Sequence, residues 1–246
     1  MNIAVLQTAR QGSVSVPNKN TLSVDNKPLF LQNILNAKKS NFKPPIYLST
    51  DIPNINNLSI EYEFTIIDRP DFLSRSDSSH HDAIMHGVKK IEEIQGCELD
   101  IVTVILGNTI SAWPEDIDKS ISILENNSDV DSVISVGKYN MFNPLRSLKI
   151  NGDGSLDSIV NAKELNKSIV NTNKNDKDVV GDVYYLNGSL MTIRRSAIFS
   201  VNEKLPFTWL GNKTVPLIQN SICMEIDDEW QINIIKKISE DFSIAR

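Results

Sequence analysis

IAVLQTARQGSVSVPNKN, residues 3–20, decides the fold. It opens with a short apolar run, Ile3, Ala4, Val5 and Leu6, and continues with small, polar and basic residues. An apolar run that breaks into turn-forming residues reads as a buried strand followed by a loop. Gly12 has no Cβ and lets the backbone approach a ligand closely. Ser13 and Ser15 add hydroxyl donors, while Arg10 and Lys19 bring two positive charges to the same mouth. Such a loop after the first strand of an α/β domain suits a polyphosphate, which is held by backbone N–H groups and fixed cations. The spacing is neither GxxxxGK[ST] nor GxGxxG. An ordinary βα connection carrying two solvated charges is the competing reading.

Outward from this stretch, strand and helix patterns alternate. Residues 46–49, 64–67, 101–106 and 132–136 are short apolar runs. Residues 28–39, 82–94 and 114–124 carry apolar side chains at helical steps: Leu31, Ile34 and Leu35, then Ile84, Val88, Ile91 and Ile94, then Ile117, Ile121 and Leu124. Ser79 or Asp82 suits the second helix as an N-cap, and Pro114 suits the first position of the third. The run at 101–106 is nearly continuous, as in a parallel strand covered on both faces. These patterns predict an α/β fold, a mostly parallel sheet with helices on both faces, whose ligands sit beyond the carboxyl ends of the strands. The pattern changes from 140 to about 181. Asn151-Gly152-Asp153-Gly154 is a turn signal. Residues 161–178 are polar and Asn- and Lys-rich, either an excursion or an arm that packs on another chain. Residues 183–193 return to strand composition, and Trp230, Ile234 and Ile238 form the stripe of a final helix. We read 1–246 as a single domain with 140–193 as a subsidiary arm.

The length of 246 residues suits one large α/β domain. A net charge of −6 and a pI near 5.2 argue against a nucleic-acid backbone as partner. An acidic protein that binds nucleotide must concentrate positive charge locally and use a divalent metal. No apolar run is long enough to span a bilayer, and the first residues are too short for a signal peptide. Two cysteines, Cys97 and Cys223, indicate no disulfide framework, so the expected compartment is the cytoplasm.

Further candidates lie along the chain. Ser49-Thr50-Asp51 follows a strand as a polar turn. Arg69-Pro70 follows the next strand, and Arg suits phosphate because its guanidinium is planar and permanently charged. Glu225 and Asp227 are i and i+2 in an extended segment, so both carboxylates can face one cation. Hard oxygen ligands completed by triphosphate oxygens and waters are the usual environment of Mg²⁺. A helix N-cap is the alternative for Asp227 or Asp228. Asn187 offers a donor and an acceptor to sugar hydroxyls, although Asn-Gly also reads as a hairpin turn. His80, His81 and His86 are not spaced for one helix face and read as helix-surface or capping residues. Trp113 and Trp209 read as packing.

In this order, the motifs resemble those of the acylneuraminate cytidylyltransferases, the enzymes that make CMP-sialic acid and its bacterial relatives. Residues 9–20 read A-R-x-G-S-x-x-V-P-x-K-N, similar to that family's A-R-x-G/N-S-K-G-I/L-P-x-K-N, which holds the CTP phosphates. Arg69-Pro70, Leu73 and Asp77-Ser78-Ser79 resemble its R-P-x-x-L-A-x-D-x-A/S, which contacts base and phosphates. Pro144-Leu145-Arg146 resembles its P-L-K/R, where the cation meets the sugar carboxylate. Asn187-Gly188 resembles its N-G-x-x-Y, and Glu225-Ile226-Asp227 its metal-binding D-I-D. The resemblance implies a three-layer, Rossmann-like nucleotidyltransferase fold and a homodimer built through the arm. It implies transfer of CMP from CTP to a nonulosonic, sialic-like acid with release of pyrophosphate. Catalytic roles fall on Arg10 and Lys19. Nucleotide binding falls on these two with Ala9, Gly12, Ser13, Asn20, Arg69 and Ser78. Acceptor binding falls on Asn187, Arg146 and Thr109, and Mg²⁺ on Glu225 and Asp227.

The chain also departs from that pattern. Val14 stands where the family has Lys, Glu225 where it has Asp, and Met191 where it has Tyr. After residue 106 the family's L-Q-P-T-S-P-L-R is replaced by Leu106-Gly107-Asn108-Thr109-Ile110-Ser111-Ala112-Trp113. Loss of the Gln and Arg to Gly107 and Trp113 is expected to enlarge and reshape the acceptor side. The alternatives are CMP transfer to a different keto-acid or related sugar, and a degenerate homologue that binds nucleotide without catalysis.

Overall fold

The computed structural model describes residues 1–13, 15–160, 181–200, 202–203, 207–220 and 223–244, with side chains of the last helix to 237. Val14, the polar stretch 161–178 and the Ile238 side chain lie outside the described residues.

The elements in chain order are β1 (Ile3–Ala9), β2 (Ser23–Val24), β3 (Lys27–Pro28), α1 (Leu29–Ala37), β4 (Ile46–Thr50), α2 (Asn56–Glu61), β5 (Thr65–Asp68), α3 (Asp71–Ser74), α4 (His80–Gln95), β6 (Ile101–Leu106) and α5 (Pro114–Asn126). Then come β7 (Ser132–Lys138), β8 (Leu148–Ile150), β9 (Leu156–Ser158), β10 (Tyr184–Arg194), α6 (Arg195–Ile198), β11 (Thr214–Gln219) and α7 (Glu229–Ile244). Seven strands form one sheet in the order β11-β7-β10-β6-β1-β4-β5. All its neighbours pair in parallel except β10, which runs antiparallel to both β6 and β7. The expected mostly parallel sheet is therefore present. The antiparallel strand enters where the chain returns from the excursion after β7, a connection that needs no crossover helix.

Local signals set the helix ends. The Ser79 hydroxyl accepts the Asp82 N–H at 3.3 Å, so Ser79 caps α4. Gly96 closes α4 in the left-handed region at φ 69°. Pro114 occupies the first turn of α5, where its missing N–H is harmless.

Two cores make three layers. Phe30, Leu31 and Ile34 of α1 and Ile117, Ile121 and Leu124 of α5 pack on one face. Ile84, Val88 and Ile91 of α4, with Ile198 and Trp209, pack on the other. Burial of such side chains contributes roughly 1.5–3 kcal/mol each. A third cluster, with Val16, Val24, Leu29, Ile110, Ile226 and Ile235, fixes the first loop and α7 to one end of the sheet.

Asn187 and Gly188 lie inside β10, not at a hairpin turn. The register with β7 shifts between Leu186 and Met191, so the pair sits in an irregularity of the strand. The hairpin is β8–β9, closed by the residues after Ile150 as the Asn-Gly signal predicts. Among the described residues no helix is long and apolar enough to cross a membrane.

Candidate active site

The connection from β1 through α1 runs to β4 on one side, whereas β6 lies on the other side of β1. The carboxyl ends of β1 and β6 thus flank the point where strand order reverses, the usual ligand crevice of such sheets. A cleft of about 270 Å³ opens there, lined among others by Thr8, Arg10, Lys19, Asn20, Arg69, Ser78, His80, Asn108 and Glu225.

Its floor depends on Gly107. A Cβ at this position would stand 2.6 Å from the Ala9 Cβ, 3.0 Å from the Asn20 Oδ1 and 3.1 Å from the Thr8 carbonyl. Gly107 lets the β1 and β6 loops close on each other. The expectation that it enlarges the acceptor side is corrected accordingly, because the volume is taken by Ala9 and Asn20. Asn20 is buried, and its Nδ2 donates to the Arg10 carbonyl at 2.7 Å. Ala9 and Asn20 therefore shape the loop that presents Arg10.

Four cations line the cleft: Arg10, Lys19, Arg69 and Arg75. Arg10 Nη1 donates to the Ser74 carbonyl at 3.2 Å. Arg69 is buried, its Nε donating to Ser49 Oγ at 3.2 Å and its Nη2 to the Ser49 carbonyl at 2.7 Å. Burial lowers its pKa to about 10, Asp51 opposing and Arg10 adding to the shift, so it stays charged at neutral pH. Asp51 Oδ1 accepts the Gln11 N–H at 2.7 Å. Ser49-Thr50-Asp51 thus has a physical role that its sequence did not disclose: Ser49 orients Arg69 and Asp51 ties down the loop after β1. Arg75 pairs with Asp77 at 3.2 Å with both groups exposed, a pair worth about 0–1 kcal/mol. The Ser78 hydroxyl serves the α3–α4 turn, 2.7 Å from the Arg75 carbonyl and 2.9 Å from that of Leu73.

His80, read as a surface or capping residue, is instead part of the cleft wall. Its Nε2 lies 3.2 Å from Thr8 Oγ1, and its ring meets Trp209 edge-on at 6.1 Å. Desolvation lowers its pKa to about 4, with the charges of Arg69 and His81 adding to the shift. His81 stacks on Trp209 at 5.7 Å and lies 2.6 Å from the Ile198 carbonyl through Nε2.

The acidic end is fixed by Asn108. The Ile226 N–H donates to the Asn108 carbonyl at 3.0 Å, and Asn108 Nδ2 donates to the Ile226 carbonyl at 3.4 Å. This places Glu225, in the cleft lining, and Asp227 on either side of a buried Ile226. Lys19 Nζ pairs with Asp227 Oδ1 at 2.7 Å. The N–H groups of Asp227 and Asp228 both donate to Gln231 Oε1 at 2.6 Å, so the Gln231 side chain serves the start of α7 while the Asp227 carboxylate turns to Lys19. Glu225 has a raised pKa: burial is the larger cause and Asp227 adds to it, against Asn108 and Lys19. A half-buried carboxylate with a second one two residues on offers hard oxygen ligands at one place. Among the described residues no group of three or more His, Cys, Asp or Glu could hold a metal ion alone. Two carboxylates alone would leave most of a cation's shell to waters and substrate oxygens, the environment Mg²⁺ keeps.

Gly188 has φ +68°, and a Cβ there would collide with the Glu225 carboxylate. Beside it, buried Asn187 accepts from Ser135 Oγ at 2.6 Å and from the Ser189 N–H at 3.2 Å, and donates to Gln219 Oε1 at 2.7 Å. Gln219 Nε2 passes the network on to Asp116 Oδ2 at 2.6 Å and the Ser111 carbonyl at 2.9 Å. Asn187 also lines a second cavity of about 330 Å³, which shares Glu225 with the first.

The remaining sequence-derived candidates are not brought to the cleft wall. Gly12 and Ser13 lie on the loop outside the cleft lining, and Gly12 has open space where a Cβ would stand. Thr109 is fully buried, its hydroxyl donating to the Leu106 carbonyl at 3.1 Å and accepting Asn33 Nδ2 at 3.0 Å. It supports the β6 loop from beneath, and burial leaves it no surface for an acceptor. Arg146 sits exposed in a 3-10 turn, Pro144–Arg146, outside the lining of both cavities.

Known proteins share this fold. The family model described as cytidylyltransferase matches residues 4–204. The CMP-N,N'-diacetyllegionaminic acid synthase of Legionella pneumophila is 26% identical over 236 residues, covering 95% of this chain and 93% of the relative. Among solved structures, a CMP:2-keto-3-deoxy-manno-octonic acid synthetase complexed with CTP superposes with a TM-score of 0.66 at 14% identity, covering 98% of this chain and 99% of that one. The 4-diphosphocytidyl-2C-methyl-D-erythritol synthase of Anaerococcus prevotii gives 0.63 at 12% identity, covering 97% and 96%. At these identities the structural likeness establishes the fold.

Two outcomes follow from the geometry. Gly188→Ala will destabilise the protein by ~1–3 kcal/mol in urea unfolding, the order of a non-glycine held in the left-handed region. Truncating Glu225 to Ala will recover part of that loss; an equal loss in both backgrounds would show that the contact is immaterial. For His80, the folded pKa of about 4 lies below the ordinary 6.5, so the unfolded chain binds the proton more readily. Its contribution to stability is full above pH 6.5 and falls as pH drops towards 4. His80→Gln will show a smaller drop in melting temperature between pH 7 and 4.5 than the parent, and identical drops would refute the assignment.

Proposed function

The chain belongs to the cytidylyltransferase family, and on that premise we propose that it transfers CMP from CTP to a nonulosonic, sialic-like acid. The observation that carries the reading is the pair of cavities that meet at Glu225, one rich in cations and one beside Asn187. The triphosphate lies in the first, against Arg10 and Lys19, with Arg69 as the buried cation behind them and Ser13 on the loop. The acidic sugar lies in the second, beside Asn187, and Arg146, the carboxylate partner that the resemblance implies, is outside its lining.

In the reaction an acceptor hydroxyl oxygen forms a bond to the α-phosphorus and loses its proton, while the bond to the β-phosphate oxygen breaks and pyrophosphate leaves. Such transfers depend on positioning and on neutralising the triphosphate more than on a protein nucleophile. Glu225 and Asp227 would hold Mg²⁺, which when bound supplies charge neutralisation at the phosphates. The Asn108–Ile226 clamp keeps these carboxylates at the junction of the cavities. Arg10 and Lys19 counter the charge that builds on the leaving pyrophosphate. Two cysteines are too few for a disulfide framework, which accords with a cytoplasmic location that cell fractionation would check.

We place a homodimer interface on the arm. Leu148, Ile150, Leu156 and Ile159 on and beside the β8–β9 hairpin are exposed, Ile150 by 77%, and with Met141 they form the kind of apolar surface that a partner covers. Ile150→Glu will shift the protein towards monomer in sedimentation velocity; a parent that is monomeric at micromolar concentration would remove the assignment.

Asp227→Ala tests the reaction. With CTP, Mg²⁺ and an acidic sugar acceptor, pyrophosphate release will fall by about a hundredfold or more. Stability will fall by less than ~1 kcal/mol, because the Lys19–Asp227 pair is partly exposed. Unchanged metal-dependent turnover would sink the role given to this residue.

A further inference from the structure

Asp116 lines neither cavity, yet hydrogen bonds join it to the place where the two meet. It stands in the first turn of α5, and Gln219 ends β11, the edge strand. Gln219 Nε2 donates to Asp116 Oδ2 at 2.6 Å and to the Ser111 carbonyl at 2.9 Å, while its Oε1 accepts Asn187 Nδ2 at 2.7 Å. Asn187 Oδ1 then accepts from Ser135 Oγ at 2.6 Å and from the Ser189 N–H at 3.2 Å. Gln219, Asn187, Ser135 and Ser189 are all buried, so each must find its partners within the protein.

The direction of this relay is dictated from its charged end. A carboxylate and a carbonyl can only accept, so Gln219 must turn Nε2 towards them and Oε1 towards Asn187. Asn187 must then present Nδ2, which leaves its Oδ1 for the backbone of its own strand. With either amide reversed, donor would meet donor or acceptor would meet acceptor. Of the two bonds that hold Gln219 Nε2, the one to Asp116 is the shorter and the charge-assisted, the stronger class. At the far end, the bond from the Ser189 N–H to Asn187 Oδ1 spans Gly188, which has φ +68°. The Glu225 carboxylate occupies the space that a Cβ on Gly188 would need, so this bend of β10 is the wall against which Glu225 rests.

We infer that Asp116 is a positioning residue for the carboxylate end of the site: it sets the direction of the Gln219 and Asn187 amides, and these hold the Gly188 bend and with it Glu225. The inference rests on the metal role proposed above for Glu225 and extends it to a residue at neither cavity. Asp118, on the same helix, is the natural comparison. Its carboxylate accepts from Ser40 Oγ at 2.5 Å and from the N–H and Nδ2 of Asn41 at 3.0 Å and 2.6 Å, partners in the α1–β4 connection.

Mn²⁺ takes the same oxygen ligands as Mg²⁺, and its binding with CTP present can be read as water-proton relaxation in excess of that of Mn²⁺ and CTP alone. Asp116→Ala will weaken this binding by about tenfold, the low end of what loss of a supporting partner costs a metal site. Gln219→Met, which cuts the relay at its middle, will do the same. Asp116→Asn keeps an acceptor for Gln219 Nε2 and will bind as the parent does. Asp118→Ala removes more hydrogen bonds from the same helix, and it will lower the melting temperature while leaving Mn²⁺ binding at the parent's value. Calorimetric CTP binding without metal will be held in all four variants. Parental Mn²⁺ affinity in Asp116→Ala or Gln219→Met, or an equal loss in Asp118→Ala, would overturn the inference while the metal role of Glu225 stands. Failure of the parent itself to bind Mn²⁺ with CTP present would overturn that role and the inference together.

Discussion

The peptide of Ile226 is held by Asn108 through both its N–H and, on the side-chain side, its carbonyl. Most of the site depends on this contact. It brings a segment more than a hundred residues distant to the carboxyl end of β6. Once Ile226 is buried with Val16, Leu29 and Ile110, its neighbours on either side have little freedom. Glu225 turns towards Gly188, and Asp227 turns towards Lys19. A backbone clamp suits this task, since it fixes the direction of two side chains without using either of them.

The electrostatics follow from an acidic chain that gathers its cations in one place. The protein carries a net charge of −6, yet the cleft presents Arg10, Lys19, Arg69 and Arg75. Arg69 is the costly member. Its burial is sustained by two hydrogen bonds to Ser49 and by the nearby charge of Asp51, and that support keeps the guanidinium protonated. His80 illustrates the opposite response to the same surroundings. Close to Arg69 and removed from water, it gives up its proton.

Much of the fold was legible because period and length are local properties. The apolar runs of β1, β4, β6 and β7, the helical stripes of α1, α4 and α5, and the cap at Ser79 need no knowledge of partners. The direction of β10 was not legible, since a strand's composition is the same whichever way it runs. Residue type alone drew attention to Arg10, Lys19, Glu225 and Asp227, of which the first three line the cleft and Asp227 pairs with Lys19. The site was misread where packing decides. Gly107 appeared to open space and in fact admits Ala9 and Asn20, Thr109 is spent on Asn33 and Leu106, and His80 faces the cleft. Asn108 passed unnoticed because its partner is a distant backbone group, and such a contact leaves no pattern in neighbouring residues.

The antiparallel pairing of β7 with β10 has a consequence for how this chain can vary. The two strands are hydrogen-bonded neighbours, and Tyr184 pairs with Lys138 at the end of the ladder. The chain that departs after β7 and returns at β10 therefore begins and ends about 5 Å apart, one strand spacing. Lengthening such a loop twofold costs only ~0.6 kcal/mol in closure entropy. Strand order would be unchanged by any insertion there, and so would the cleft on the far side of β6. The sheet thus offers one doorway through which material can be added or replaced during evolution. That doorway opens beside the second cavity, lined in part by Tyr139, Phe142 and Tyr185, so the surroundings of that cavity can diverge while the cleft stays fixed.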